Sequence, residues 1–138
     1  MILLTPELHA ALRANADRSA TRDYDPVPVV KFFNPLGAAT WLASELEDDG
    51  DTLFGLADLG FGCPELGCFS LSELASLRLP FGLGIERDIG FSTTASLSVW
   101  ADTARRAGSI IQAQSLIWRI EAAPVPEIPT DPKQGNDG

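Results

Sequence analysis

The chain contains few of the residues that carry ordinary enzyme chemistry. Its 138 residues include one histidine, two cysteines and one methionine. A Ser-His-Asp or Cys-His arrangement would need His9, which the sequence places on an N-terminal helix, near the surface. Structural zinc takes four nitrogen or sulfur ligands, so Cys63 and Cys68 with one distant histidine predict no metal site and no bound cofactor. We expect both cysteines to be reduced, small and buried.

Basic residues are missing from the middle of the chain. Between Phe32 and Leu77 there are eight acidic residues and no Lys or Arg, and the net charge of the whole chain is −9. Such a charge repels phosphate backbones and anionic lipid, which argues against direct binding to nucleic acid or to a membrane. The carboxylates form either a solvated face that maintains solubility or a surface that meets a basic protein partner. The second interpretation assigns partner binding to Glu45, Glu47, Asp48, Asp49, Asp51 and Asp58.

Long apolar runs are also missing. No run approaches the roughly 20 residues that span a bilayer, and the N-terminal segment lacks the basic start and apolar stretch of a signal peptide. We therefore expect a cytoplasmic protein with one α+β domain over residues 1–121. Residues 122–138 contain four prolines and end in polar residues, which predicts a disordered or extended tail.

Local signals predict a small, mostly antiparallel sheet and about three helices. Thr5 followed by Pro6 is typical of a helix start, and the β-branched and aromatic segment 27–33 indicates a strand. Asp49-Gly50 lies between two half-apolar runs, 40–46 and 52–59, and predicts a hairpin turn; the alternative is one short helix at Thr40–Glu47.

The segment Phe54–Phe69, FGLADLGFGCPELGCF, is the centre of the predicted fold. Within it, Gly55 leaves room for a close neighbour. The spacing of Ser70 and Glu73 predicts a capped helix over 71–78, and an apolar stripe predicts another helix over 95–107 that ends at Gly108. The segment 109–121 fits both strand and helix, and the alternating apolar residues in SLIWRI favour a strand.

Four carboxylates could supply acid-base chemistry or hold a hard metal ion, namely Asp58, Glu65, Glu86 and Asp88. An enzyme would gather them with Lys31 and Arg87 beside the glycine-rich connection 60–67. This connection lacks the Lys-Ser or Lys-Thr pair of a phosphate-binding loop. The alternative is that these carboxylates are solvated, cap backbone amides or pair with Arg87 and Lys31. The candidate catalytic residues are Lys31, Asp58, Glu65, Glu86, Arg87 and Asp88.

Several motifs occur in order along the chain: PVPVVKFFNP, TWL, FGLADLGFGCPELG and SLSELASLRLPFGLGIERDIGF. In this order and spacing the chain resembles a bacterial family of small domains of unknown function that are common on plasmids and integrative conjugative elements. The resemblance covers Leu4 to Gly108. Cys68 stands where an aromatic residue is more usual, and the segment from Ser109 onward looks like an addition.

The resemblance implies an accessory protein of mobile DNA and transfers no catalytic residue. Small acidic proteins in that setting often counter host defence, as anti-restriction or anti-CRISPR proteins that imitate nucleic acid. Three functions stay open from the sequence. They are a nucleic-acid mimic that binds a basic protein, an enzyme that uses the six candidate catalytic residues, and an interaction module that stabilises a plasmid-encoded assembly through its aromatic residues.

Overall fold

The computed structural model describes residues 2–123, and it confirms the α+β fold. This part of the chain contains four α-helices and one five-stranded sheet. The helices are α1 (Pro6–Ser19), α2 (Leu71–Ser76), α3 (Leu97–Ala107) and α4 (Ile110–Ala122). The strands are β1 (Val30–Phe33), β2 (Thr40–Leu46), β3 (Thr52–Asp58), β4 (Glu65–Ser70) and β5 (Glu86–Arg87). The predicted tail lies outside the described residues from residue 124 onward.

The strands follow the order β4-β3-β2-β1-β5, and every neighbouring pair is antiparallel. The predicted hairpin at Asp49-Gly50 is confirmed: Gly50 has φ +72° and its amide donates to the Glu47 carbonyl at 3.1 Å. Positive φ favours glycine, which explains why the turn forms here. β4 and β5 are the two edges of the sheet, so residues on these two strands are separated by three intervening strands.

Helices cover both faces of the sheet. Because side chains alternate along a strand, Trp41 of β2 faces the core under α1 and α2, while Leu42 faces the core under α3 and α4. Leu12 of α1 and Leu74 of α2 are buried in the first core. Trp100 of α3 is fully buried in the second core. The sheet is therefore the middle layer of a helix–sheet–helix arrangement.

Gly55 allows the two central strands to approach closely. The register between β2 and β3 shifts between Ala43 and Glu45, and a Cβ on Gly55 would lie 1.8 Å from the Leu42 carbonyl oxygen. No side chain fits at that distance. Gly55 therefore provides the close approach that the sequence predicted for it.

The preference for a strand over 109–121 was wrong, because this segment forms the helix α4. Its buried residues Ile110, Ala113 and Ile117 recur at helical spacing and pack in the second core. The hydroxyl of Ser109 accepts a hydrogen bond from the Gln112 amide at 3.0 Å and caps the helix. The helical pattern was the correct one because it places these three apolar residues on one face, against the second core.

The expectation that the cysteines are buried was also wrong. Cys63 and Cys68 are both exposed and free. Cys63 lies in the loop between β3 and β4, and Cys68 lies on β4, where only one side has a neighbouring strand. An edge position exposes a residue that would be covered in the middle of the sheet.

Candidate functional site

Four carboxylates lie in or beside the turn between β2 and β3, and we call Glu47, Asp48, Asp49 and Asp51 the acidic turn. Glu47, Asp48 and Asp49 are exposed and Asp51 is half-buried. Among residues 2–123, none of the four forms an ion pair within 4.0 Å. The turn therefore presents concentrated negative charge to the solvent.

Two of these carboxylates also hold the local backbone. Asp49 accepts from the amides of Asp51 and Thr52, both at 2.8 Å, and from the Thr52 hydroxyl at 2.6 Å. These hydrogen bonds, led by that of the Thr52 hydroxyl, lower the pKa of Asp49 to about 2. Asp51 accepts from the Ser70 hydroxyl at 2.7 Å and the Ser72 amide at 2.8 Å, and these bonds lower its pKa. Both carboxylates stay ionised well into the acidic range.

Asp51 connects the acidic turn to α2. The Leu71 amide donates to the Asp51 carbonyl at 2.9 Å, and Ser70 caps α2 by accepting from the Glu73 amide at 3.1 Å. An anionic side chain at this end of a helix is favourable, because the unpaired amides there carry partial positive charge. The turn and the start of α2 are therefore held together as one unit.

An apolar groove of about 620 Å³ opens beside this unit, between the N-terminal segment, α1 and α2. Asp51 of the acidic turn is one of its lining residues. Two further exposed carboxylates adjoin the groove in sequence, Glu7 after the lining residue Pro6 and Glu73 after the lining residue Ser72. The groove is lined by Ile2, Leu3, Leu4, Thr5, Pro6, His9, Gly50, Asp51, Leu71, Ser72 and Ala75.

The sequence did not predict this groove. Its apolar lining comes from a segment before α1 and from one side of α2, which are more than 60 residues apart in the chain. The one available signal was the run Ile2-Leu3-Leu4 before the helix cap Thr5. Apolar residues before a helix cap often pack back against the helix.

The other two predicted partner-binding carboxylates lie away from the acidic turn. Glu45 is half-buried on β2 and accepts from the Ser19 hydroxyl of α1 at 2.8 Å. Asp58 is 0% exposed at the opposite end of β3. Its two oxygens accept from the Gly60 and Ile110 amides, both at 2.9 Å. Asp58 thus ties the β3–β4 loop to the start of α4 and does not face solvent.

The six candidate catalytic residues are divided among four places. Lys31 and Asp88 meet on the α4 side of the β1–β5 edge, with Lys31 Nζ 3.5 Å from Asp88 Oδ2 and 2.7 Å from the Gln114 Oε1 of α4. The Lys31 side chain is 12% exposed, and its ammonium also lies 5.8 Å from the Phe33 ring centroid. This lysine is held by an amide oxygen, a carboxylate and an aromatic ring.

The remaining candidates do not join that pair. Glu86 and Arg87 form β5, and Arg87 Nη1 donates to the Ile2 carbonyl at 2.8 Å. Glu65 begins β4 at the other edge of the sheet, and Asp58 is buried under α4. The structure therefore brings Lys31 and Asp88 together, and it separates Glu65 and Asp58 from them.

Residues 2–123 contain neither a metal-binding cluster nor a membrane-spanning helix. No group of three or more His, Cys, Asp and Glu side chains is positioned to hold a metal ion. None of the helices has the length and apolar character needed to cross a membrane.

Comparison with known proteins gives a family and nothing more specific. Residues 3–111 match the family model described as "Protein of unknown function (DUF2958)". No curated protein and no solved structure matches the chain. The match covers both core layers except for most of α4.

Proposed function

Because the chain belongs to the DUF2958 family of proteins of unknown function, we propose its function from its own structure: it binds a basic protein partner through the acidic turn and the apolar groove. The observation that carries this proposal is that the groove opens beside the acidic turn, with Asp51 common to both. An exposed anionic surface alone is common on proteins and needs no partner. An anionic surface next to an apolar groove has both properties that a protein interface needs.

The two features contribute differently to binding. Carboxylates without ion pairs attract a basic surface over a distance of about 8–10 Å at physiological salt and speed its association. Burial of apolar side chains in a groove supplies most of the affinity, at about 25 cal/mol per Å² of apolar surface. Arg13 is the basic side chain at this end of β2, and it is engaged by Asp17 at 3.0 Å and by the Leu46 carbonyl at 2.6 Å. Arg13 forms no ion pair with the turn, and its charge is the smallest of the causes that lower the pKa of Asp49.

The partner we propose is a host-defence protein whose basic surface normally binds nucleic acid. The chain would then be an accessory protein of bacterial mobile elements, of the anti-restriction or anti-CRISPR type. Support comes from the net charge of −9 and from the absence of Lys and Arg between residues 32 and 77. A surface that binds phosphates also attracts carboxylates, so such a partner would be blocked from its nucleic acid.

The experiment is capture of proteins from a bacterial lysate by the immobilised chain, followed by salt and DNA competition. We expect at least one DNA- or RNA-binding protein to be retained at 50 mM NaCl, to be released at 500 mM NaCl, and to be displaced by duplex DNA. A captured protein that resists both salt and DNA would contradict a charge-driven mimic and would favour the interaction module.

Matched variants then test the site itself. The double substitution Glu47→Gln and Asp48→Asn removes two charges with little change of shape, and Ala75→Gln places a longer side chain in the groove. We expect each to weaken capture of the same partner by about tenfold, which corresponds to about 1.4 kcal/mol. Ala14→Gln, on the exposed side of α1, is the control for Ala75→Gln. Equal capture by all of these variants would refute the proposed site.

A further inference from the structure

The outer edge of β4 has backbone groups without partners. β4 pairs with β3 on one side only, and most of its residues are exposed or half-exposed. An uncovered strand edge presents a row of amides and carbonyls on which another strand can pair, and proteins usually protect it with lysine, proline or a bulge. β4 has none of these three, because its sequence is ELGCFS and its register with β3 is regular.

The register identifies which groups point outward. The Thr52 carbonyl accepts from the Glu47 amide of the β2 side, and the Leu71 amide donates to the Asp51 carbonyl. Inward-pointing and outward-pointing backbone groups alternate along an antiparallel strand. The amides and carbonyls of Glu65, Gly67 and Phe69 therefore bond to β3. The amides and carbonyls of Leu66 and Cys68 then point away from the sheet. They have no backbone partner among residues 2–123.

The surface beside this edge is apolar with one carboxylate. A cavity of about 240 Å³ is lined by the side chains of the β3–β4 loop and by Ala57 and Glu65. In the loop, Phe61 is 83% exposed between two glycines, and Leu59 is 57% exposed. The side chain of Glu65 is exposed, and its carboxylate forms neither an ion pair nor a hydrogen bond with residues 2–123. Apolar walls with one free carboxylate suit a Lys or Arg side chain, which buries its stem and keeps its charge outside.

We propose that β4 binds an extended segment of another protein as a sixth strand, with a Lys or Arg of that segment opposite Glu65. The side of β4 that carries Glu65 also has open space above Gly67, where a Cβ would meet nothing within 4 Å. An aromatic or large apolar residue of the added strand fits there. The side that carries Leu66, which is 39% exposed, and Cys68 takes smaller apolar residues.

A second copy of the chain is a poorer occupant. Pairing of β4 with itself would place no Lys or Arg opposite Glu65, because there is none between residues 32 and 77. It would also bring together two chains that each carry a net charge of −9. A basic extended segment satisfies the same backbone groups and compensates the carboxylate.

The probe is the synthetic peptide acetyl-Ser-Thr-Ile-Tyr-Val-Lys-Ser-amide, whose Lys, Tyr and Thr lie opposite Glu65, Gly67 and Phe69 in antiparallel pairing. Titration into the full chain is followed by amide NMR. We expect the largest shifts and new protection from exchange at Leu66 and Cys68. N-methylation of the peptide at Ile and Val removes the amides that face β4 and should abolish binding. N-methylation at Tyr and Lys removes amides that face solvent and should not.

Two substitutions in the chain test the same contacts. Cys68→Pro removes an outward amide at an edge position that tolerates proline, and we expect at least tenfold weaker binding, with Cys68→Ala as the control. Glu65→Lys should weaken binding by about three- to tenfold. Far-ultraviolet circular dichroism checks that each variant is folded.

Three results would overturn the proposal. They are the absence of peptide binding at millimolar concentration, equal binding of both N-methylated peptides, and a concentration-dependent dimer in sedimentation that Cys68→Pro abolishes. The last result would show that the edge pairs with a second copy. The peptide experiment does not involve the acidic turn. A negative result would therefore refute strand addition at β4 and leave the function proposed above untouched.

Discussion

Replacement of Asp58 by alanine should lower the free energy of unfolding by about 2–4 kcal/mol, because this carboxylate holds the start of α4. Its oxygens accept from the Gly60 and Ile110 amides at 2.9 Å each, and the side chain is fully buried. A buried amide that loses its partner costs about 1–3 kcal/mol, which applies to Ile110. Gly60 is exposed, so water replaces its lost bond and the cost there is about 1 kcal/mol.

The substitution Asp58→Asn separates shape from hydrogen bonding. An asparagine side chain keeps the volume but has one acceptor oxygen, and it places an amide group against the second backbone N–H. We expect this variant to lose about 1–2 kcal/mol, provided that its oxygen faces Ile110. The expected order of stability is therefore wild type, then asparagine, then alanine.

Urea unfolding followed by tryptophan fluorescence measures these differences, since Trp100 lies in the core that α4 covers. Asp48→Asn is the control because that carboxylate is exposed, and we expect it to stay within about 0.5 kcal/mol of wild type. If both Asp58 variants were as stable as the control, the structural role of this carboxylate would be refuted. A role in chemistry would then be the better explanation of a buried carboxylate.

Three further predictions concern the hairpin and the helix ends. Gly55→Ala should lower the free energy of unfolding by about 1–3 kcal/mol, because the added Cβ would overlap the Leu42 carbonyl. Gly67→Ala should change it by less than about 1 kcal/mol, because the added Cβ meets no atom within 4 Å. Urea unfolding compares the two variants. The low pKa of Asp49 stabilises the fold above pH 4, and this contribution should disappear as the pH falls from about 4 to about 2. Asp49→Ala should therefore flatten the acid limb of a curve of unfolding free energy against pH. An unchanged acid limb would contradict a lowered pKa for Asp49. Glu121→Ala should speed amide exchange at Thr94, whose amide donates to this carboxylate at 2.7 Å, and exchange at wild-type rates would argue against the contact.

Local signals in the sequence predicted the elements that depend on nearby residues. Thr5 caps α1, accepting from the Leu8 amide at 3.2 Å, and Pro6 is the first helical residue. Gly108 ends α3 with φ +94°, as a glycine after an apolar helical stripe predicts. The start of α3 was less accurate, because the cap is Ser96 and Asp25, from far upstream, accepts from the Ser98 amide at 3.1 Å. The sequence therefore located a helix end accurately where the capping residue is a neighbour in the chain, and less accurately where a distant residue contributes to the cap.

The remainder of the fold depends on contacts between distant parts of the chain. The segment SLIWRI has a strand-like alternation, and its helical state is stabilised by burial of Ile117 against the sheet and by the bond from Ile110 to Asp58. Neither contact is visible in the order of residues. The edge strand β5 likewise consists of the two residues Glu86 and Arg87, which are held by pairing with Phe33 and Phe32 from far upstream in the chain.

The candidate site was predicted in part. The acidic turn follows directly from the sequence, because a hairpin turn exposes consecutive polar residues. The apolar groove beside it could not be predicted, since it needs the relative position of the N-terminal segment and α2. Lys31 and Asp88 came together because β1 and the segment after β5 are neighbours, and Glu65 did not join them because β4 is at the far edge.

The family match ends inside helix α4, and this affects how fragments of this protein should be designed. The match ends at residue 111, two residues into a helix that runs to Ala122 and covers Leu42, Leu56 and Trp100 with Ala113 and Ile117. A recombinant fragment cut at the end of the match would leave that apolar layer open to water and prone to aggregate. The family match is thus shorter than the helix–sheet–helix arrangement of residues 2–123, because the layer on one side of the sheet is completed by residues beyond it.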